Sequence, residues 1–369
     1  MKVLHFLDSL DRGGAEAQAL DVCRNASRFG LEMTLVTAKG GALEEEFRAT
    51  DVEYIRLGRK LPIDPGLASQ LRRIIIEREI EIVHGYQAVD GLHLLLATRG
   101  LKNVRRVLSF QGFIQDRKNR LTSKFLVSRM DANIAVSRGM LKWLTDVDRL
   151  DTSRNFHVIY NGADPARIEP TGHSLRGELQ LPANTPLIGM VGNFYRDPRK
   201  DQLTVCRALP SVFAQFENVR CVFAGGVEPG AEEKLAACER FCAEHGLTDR
   251  VHFLGGRSDV PDILAALNVF VFSSLHEGLP LAVSEAMLAG VAMIVSDIEP
   301  LLEASGNGQY AEVFPVGDEK ALAEKLRFLL SDPTRREDLA SKAKAFALDN
   351  FSIDGHMREL VKLYRSLTD

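Results

Sequence analysis

Short apolar, β-branched runs alternate with stretches of helical periodicity from one end of the chain to the other. Val3–Leu7, Met33–Val36, Tyr54–Leu57, Ile80–Val83, Val107–Phe110 and Asn133–Val136 form a first set, and Leu187–Val191, Val219–Phe223, Val251–Leu254, Val269–Phe272 and Ala292–Val295 a second. Runs this short, separated by helical patterns, predict buried strands in βαβ units and therefore parallel sheets covered on both faces. Between the two sets, residues 164–173 (Asp-Pro-Ala-Arg-Ile-Glu-Pro-Thr-Gly-His) have no periodicity and predict a linker. The expected domains are 1–165 and 166–350. Residues 351–369 predict a helix whose apolar side (Met357, Leu360, Val361, Leu363, Tyr364) packs back toward the first domain. With 369 residues, one core is too small an architecture in any case. The predicted fold class is α/β: two Rossmann-like, doubly wound domains facing a central cleft, with ligands beyond the strand C-termini.

Composition narrows the class further. Apolar content of 45% and charged content of 26% describe an ordinary globular chain. Residues 1–170 hold 26 Lys/Arg against 22 Asp/Glu, while the remainder holds 20 against 28, so the net charge of −4 is unevenly spread. A globally basic nucleic-acid binder is excluded by that balance. No segment has the pattern of a signal peptide or the length of a bilayer span, which predicts a cytoplasmic protein. The five cysteines show no disulfide framework. Cys238, Cys242 and His245 fall at helical spacing, but with no second ligand cluster they predict buried thiols rather than a metal site.

Three loops carry the chemistry. The first, residues 8–16, ends in Gly13-Gly14-Ala15-Glu16 before a helix, and glycines there allow a backbone to approach an anion. The glycine and lysine spacings of a dinucleotide fingerprint or a P-loop are absent. The second, Gly192-Asn193-Phe194-Tyr195-Arg196-Asp197-Pro198-Arg199-Lys200, follows strand Leu187–Val191 and places three cations within five residues, the charge a diphosphate needs. The third, Ser274-Leu-His-Glu277-Gly278-Leu279-Pro280-Leu-Ala-Val-Ser-Glu285, sets two glutamates eight positions apart. Glu277 is expected to project from a Gly/Pro turn, and Glu285 to sit about a turn and a half into the following helix. Carboxylates beside a phosphate site suit sugar or ribose hydroxyls as partners.

In this order the segments, with Val-Ile-Tyr-Asn161-Gly162-Ala-Asp164 and Val-His-Phe-Leu-Gly255, resemble the retaining glycosyltransferases of family four and their two-domain GT-B architecture over nearly the whole chain. The resemblance implies a nucleotide diphosphate sugar as donor substrate, no cofactor and no metal. It implies that Lys200 binds the diphosphate, that the Gly278 and Leu279 amides hold phosphate oxygens, and that Gly14 approaches from the first domain. Glu285 would bind the ribose and Glu277 the transferred sugar, with Arg257 a further candidate near the base. The family often has arginine where Asn193 stands, so Arg196 or Arg199 is the implied substitute. It often has histidine where Gln111 stands in Leu108-Ser-Phe-Gln-Gly112. A glutamine donates a hydrogen bond but takes no proton as a base. On a same-face mechanism the leaving phosphate accepts the acceptor's proton, and Gln111 suffices to position substrate.

The expected activity is therefore transfer of a sugar to a glycan or lipid-linked acceptor in surface polysaccharide synthesis. A catalytically silent nucleotide-sugar-binding subunit and a nucleotide-sugar epimerase remain as alternatives on the same architecture. Asp146-Val-Asp148, formally a DxD, falls in a helical stretch and reads as surface. His84 ends a strand at the same edge and reads as structural. Finally, Arg117, Arg120 and Lys124 recur at i, i+3, i+7 beside Ile114, Leu121 and Phe125, with Arg99, Lys102, Arg105 and Arg106 nearby. Such a basic amphipathic surface fits peripheral contact with anionic lipid at the inner face of the plasma membrane.

Overall fold

Every predicted apolar run becomes a strand, and the strands assemble as two separate parallel sheets. The computed structural model describes residues 1–11, 13–114 and 116–368. Contacts divide it into one unit of residues 1–162 with 353–369 and a second of 163–352. The first unit contains β1 (Lys2–Leu7), β2 (Glu32–Thr37), β3 (Glu53–Arg56), β4 (Ile82–Gly85), β5 (Arg105–Phe110), β6 (Ala132–Ala135) and β7 (Phe156–Val158), in the order β3-β2-β1-β4-β5-β6-β7. The second contains β8 (Leu187–Val191), β9 (Arg220–Ala224), β10 (Val251–Phe253), β11 (Val269–Phe272), β12 (Ala292–Ser296) and β13 (Glu312–Phe314), in the order β10-β9-β8-β11-β12-β13. Two strands, β7 and β13, exceed the sequence expectation. Each is a three-residue edge strand with partly exposed side chains, too short to stand out as an apolar run.

Both sheets reverse direction beside their first strand, at β1/β4 and at β8/β11. Neighbouring connections there leave on opposite faces, and a crevice opens beyond the strand C-termini. The loops after β1, β8 and β11 are the three that carry candidate chemistry.

The last helix, Ile353–Thr368, belongs to the first unit. Met357, Leu360, Val361, Leu363 and Tyr364 join Val3, Leu7, Ile82 and Val107 in its core. Its Tyr364 hydroxyl reaches His5 Nε2 at 2.9 Å and His84 Nδ1 at 2.5 Å. His5 Nδ1 meets the Tyr86 hydroxyl at 2.8 Å, and His84 Nε2 meets Ser109 Oγ at 2.7 Å. His84 is thus a structural histidine. Burial lowers its pKa and that of His5, the latter to about 3. All five cysteines are buried free thiols, and burial pushes Cys23 up to about 12.

Candidate functional site

The strand-end loops of the second unit are stitched to one another by backbone. Leu275 N donates to Arg199 O at 2.7 Å and Asp201 N to Ser273 O at 3.1 Å, so Lys200 and Ser274 face each other as an isolated antiparallel bridge. Asp201 then caps the helix Gln202–Gln215 through Thr204 N. A lysine held on both sides in this way has little choice of direction. Its stem lies beside Gly192, and its ammonium stands 3.9 Å from the centroid of the Phe272 ring. There it donates to Glu277 Oε1, which also accepts from Ser274 Oγ at 2.7 Å. Both charged side chains are only 9% exposed. Glu277 therefore folds inward instead of projecting as expected, because the lysine is buried and requires a counter-charge. Burial lowers the Lys200 pKa, and Glu277 opposes that shift.

Glu285 follows the same logic by a different route. The helix Leu281–Ala289 buries seven of its nine residues and ends at Gly290, whose φ of +74° suits a residue without Cβ. Glu285 is its one charged side chain, and a buried carboxylate needs a cation. Arg167 supplies it, donating from Nη2 to Glu285 Oε1 at 2.7 Å. Pro280 N-caps this helix with no side-chain hydrogen bond, and Gly278 and Leu279 lie immediately before it. In both glutamates Oε2 receives no hydrogen bond from a described residue.

The remaining candidates of this unit divide. Asn193 accepts from Gly226 N at 2.8 Å and locks the β8 and β9 loops together. A Cβ at Gly225 would lie 2.2 Å from Gly192 O, so only glycine permits that approach. Arg199 clamps Asp197 at 2.6–3.0 Å and stacks on Tyr195, while its carbonyl supports the Ser274 loop. Arg196 is exposed and pairs with Glu228. Arg257 grips Asp259 and Glu178, each through bonds of 2.7–2.8 Å, which raises its own pKa and lowers Glu178 to about 2. The structure thus brings Lys200, Glu277, Gly278 and Leu279 together, with Glu285 on the same loop-helix segment. Arg196 and Arg257 direct their charge to other partners. His173, Glu178 and Asp259 are, among the described residues, the one acidic/histidine group close enough to share a metal. Arg257 already bonds both of its carboxylates.

In the first unit, Gly14 opens the helix Gly14–Asn25, exposed and with no atom within 4 Å of where a Cβ would stand. Burial raises Glu16 to about 7. Gln18, one turn on, is fully buried and accepts from Gly162 N at 2.8 Å through Oε1. The adjacent Asn161 donates to Gln111 Oε1 at 2.9 Å. Gln111 and, through Gln18, the helix that Gly14 opens are thereby tied to one Asn161-Gly162 segment. A cavity of about 600 Å³ lies at the opposite sheet edge, lined by Lys2, Cys23, Glu32, Glu53 and Arg78. Doubly wound sheets bind ligands beyond strand C-termini, so no site is placed there.

The basic helix Arg117–Val127 departs partly from expectation. Arg117 and Lys124 are exposed, but Arg120 donates to Asp148 at 2.9 Å. Asp148 is fully buried, a correction to its reading as surface: the chain turns inward after the helix ends at Asp146. Arg105 and Arg106 are also engaged, by Leu367 O and Asp131. The site residues missed from sequence are Ser274, Asn161, Gln18 and Arg167. The first two lay inside motifs already singled out. Arg167 had no signal beyond being a cation in a polar linker.

Residues 173–346 match the family described as glycosyl transferases group 1, and residues 12–167 match glycosyltransferase family 4. The chain is 26% identical over 327 residues to the lipopolysaccharide core biosynthesis mannosyltransferase LpsB of Rhizobium meliloti, covering 84% of this chain and 90% of that one. It is 27% identical over 284 residues to the UDP-Gal:alpha-D-GlcNAc-diphosphoundecaprenol alpha-1,3-galactosyltransferase of Escherichia coli, covering 73% and 72%. Among solved structures it resembles Anabaena Alr3699/HepE in complex with UDP and glucose, with a TM-score of 0.83 at 20% identity over 99% of this chain and 100% of that one.

Proposed function

The chain belongs to glycosyltransferase family 4, the group 1 glycosyl transferases, and from that premise we propose a retaining, metal-independent enzyme that moves a sugar from a nucleotide diphosphate sugar to a hydroxyl of a glycan or lipid-linked acceptor. The observation that carries this reading is the buried Lys200–Glu277 pair at the C-terminal edge of β8 and β11. Lys200 donates a hydrogen bond to the donor diphosphate, with the Gly278 and Leu279 amides on its oxygens. Glu277 Oε2 accepts from hydroxyls of the transferred sugar, and Glu285 Oε2 from the ribose. The anomeric carbon–phosphate oxygen bond breaks, the bond to the acceptor oxygen forms on the same face, and the acceptor's proton passes to the departing phosphate oxygen. The protein's part is to position both substrates and stabilise the leaving diphosphate. Gln111, held by Asn161, positions substrate without taking a proton.

The test is NMR of the protein with UDP-, GDP-, ADP- and dTDP-sugars, with Glu277→Ala as control. Breakdown of one donor, releasing sugar first in its original anomeric form and insensitive to EDTA, is expected. Release of the opposite anomer would refute retention, and loss of activity in EDTA would refute metal independence. Binding with no transfer, even to lipid-linked glycans, would leave the silent subunit as the better reading.

The acceptor side of this proposal includes an anionic membrane. No described helix is long and apolar enough to cross a membrane. Helices Pro65–Glu77, Ala88–Ala97 and Arg117–Val127 pack side by side. They and the loop before them carry Leu61, Ile63, Ile76, Leu96, Leu121 and Phe125, six of the eleven large apolar side chains that stand exposed among the described residues. Residues 58–129 hold 14 Lys/Arg against 6 Asp/Glu, a net of +8 in a chain of net −4. Apolar side chains among cations favour a surface bearing anionic headgroups. Co-sedimentation with phosphatidylglycerol vesicles, lost in phosphatidylcholine and in Leu121→Glu/Phe125→Glu, is the expected result. Equal recovery with both lipids would remove the membrane from the proposal.

A further inference from the structure

We infer that Arg167 is a positioning residue for the nucleotide, setting the carboxylate of Glu285 through Oε1 so that Oε2 is presented to the ribose. The inference rests on the reading of Glu285 as the ribose ligand.

The geometry behind it lies within the second unit. Arg167 stands on a short 3-10 turn, Pro165–Ile168, five residues after Gly162 ends the first unit. The turn is preformed from both sides. Asp164 caps it through Ala166 N at 3.0 Å, Arg167 N bonds Asp164 O at 3.0 Å, and Ile168 is buried at its far end. The turn packs on the helix Leu281–Ala289 and on the helix Val260–Ala266. From there the guanidinium reaches Glu285 at 2.7 Å, with side chains 22% and 9% exposed.

A glutamate has three side-chain torsions, and a buried helix gives its charge no other described counter-ion. With Arg167 removed, the carboxylate loses its one charge-assisted bond and remains in a poorly solvated place. It would turn toward water, and Oε2 would then no longer meet two vicinal hydroxyls at a set angle. A guanidinium in place does the opposite, because its charge-assisted bond holds Oε1 on its own side and leaves Oε2 facing away. The same arrangement holds Glu277, where Lys200 and Ser274 take Oε1 and leave Oε2 open.

The experiment is calorimetric titration. UDP, GDP and ADP are first tested on the wild type, and the tightest binder is carried forward with its 2′,3′-dideoxy form. The proteins are wild type, Arg167→Ala, Arg167→Lys, Glu285→Ala and the double variant Arg167→Ala/Glu285→Ala. The expected result is a loss of about tenfold or more for the ribonucleotide in both alanine variants. For the dideoxy form the loss should be under about twofold, since no hydroxyl remains to be held. Arg167→Lys should recover part of the affinity, and the double variant should bind no more weakly than Glu285→Ala alone. Wild-type affinity in Glu285→Ala, or no nucleotide binding by the wild type, would overturn the ribose reading itself. Weakened Glu285→Ala with unchanged Arg167→Ala would overturn the role of Arg167 alone. So would an Arg167→Ala loss equal for both nucleotides, the sign of a merely structural side chain. Should Arg167→Ala not fold, Arg167→Gln keeps a donor of similar reach without the charge, and the same ratio of losses decides.

Discussion

The two units present opposite chemistry at equivalent edges of equivalent sheets. At the β8/β11 edge the candidate groups are buried ion pairs, Lys200–Glu277 and Arg167–Glu285. Around β1, β4 and β5 the candidates are the neutral amides of Gln18, Gln111 and Asn161, beside histidines with depressed pKa values bonded to tyrosine hydroxyls, and the close ion pair after β1, Asp8–Arg59 at 2.8 Å, involves none of them. A topological switch point specifies a crevice, not a ligand. Its ligand class depends on whether the side chains there bring charge or neutral hydrogen bonds. A diphosphate calls for the first and a hydroxyl for the second, which is how the proposed donor and acceptor divide between the units.

The sharpest way to break that contrast is to remove one residue from each edge. Glu277→Ala should lower turnover about 1,000-fold while nucleotide affinity stays within about twofold. Gln111→Ala, which deletes a neutral hydrogen bond, should cost no more than about tenfold in kcat. Equal losses in steady-state kinetics would show that charge is not what distinguishes the edges.

Lys200→Ala tests the pair as a structural unit. It strands a buried carboxylate, and the expected destabilisation is about 3–5 kcal/mol by denaturant unfolding. Lys200→Ala/Glu277→Gln should recover most of that stability and none of the activity. Recovered activity would place the chemistry elsewhere.

The neutral edge predicts a pH dependence. Burial lowers His5 to about 3 and His356, which bonds Tyr160 O, to about 4, and it lowers His84 as well. These folded pKa values lie below the unfolded value, so on acidification the unfolded chain binds protons that the folded chain refuses. The histidine contribution to stability should be constant above about pH 6.5 and fall below it, by about 1.4 kcal/mol per pH unit for each histidine, while Glu16, raised by burial to about 7, contributes with the opposite sign. Calorimetry of the wild type and His356→Gln between pH 7.5 and 5 checks this: the fall in Tm should be smaller in the variant, and an equal fall in both would mean that His356 charges in the folded state. The smallest effect is expected at Arg196, whose exposed pair with Glu228 makes Arg196→Ala change donor KM by less than about twofold.

Strand positions were legible because parallel sheets bury both faces, and continuous apolar runs such as Val269–Phe272 record that directly. The edge strands β7 and β13 were not, since three residues with at most one buried side chain make no continuous apolar run. The loop-helix carrying Glu277 and Glu285 and the cations after β8 were also legible, as residue types at a spacing. Their allocation was not. Nothing local distinguishes Lys200, which turns inward to Glu277, from Arg196, four residues earlier, which pairs with Glu228 at the surface.

The sequence by itself determined the α/β architecture, the order of the motifs and the family, because periodicity and spacing are properties of neighbouring residues. Tertiary structure decided which charges meet. Arg167 and Glu285 are 118 positions apart, and Tyr364 and His5 are 359 apart. Such pairs form because a buried charge or polar group must find a partner wherever the packed chain brings one, and sequence distance says nothing about where that is.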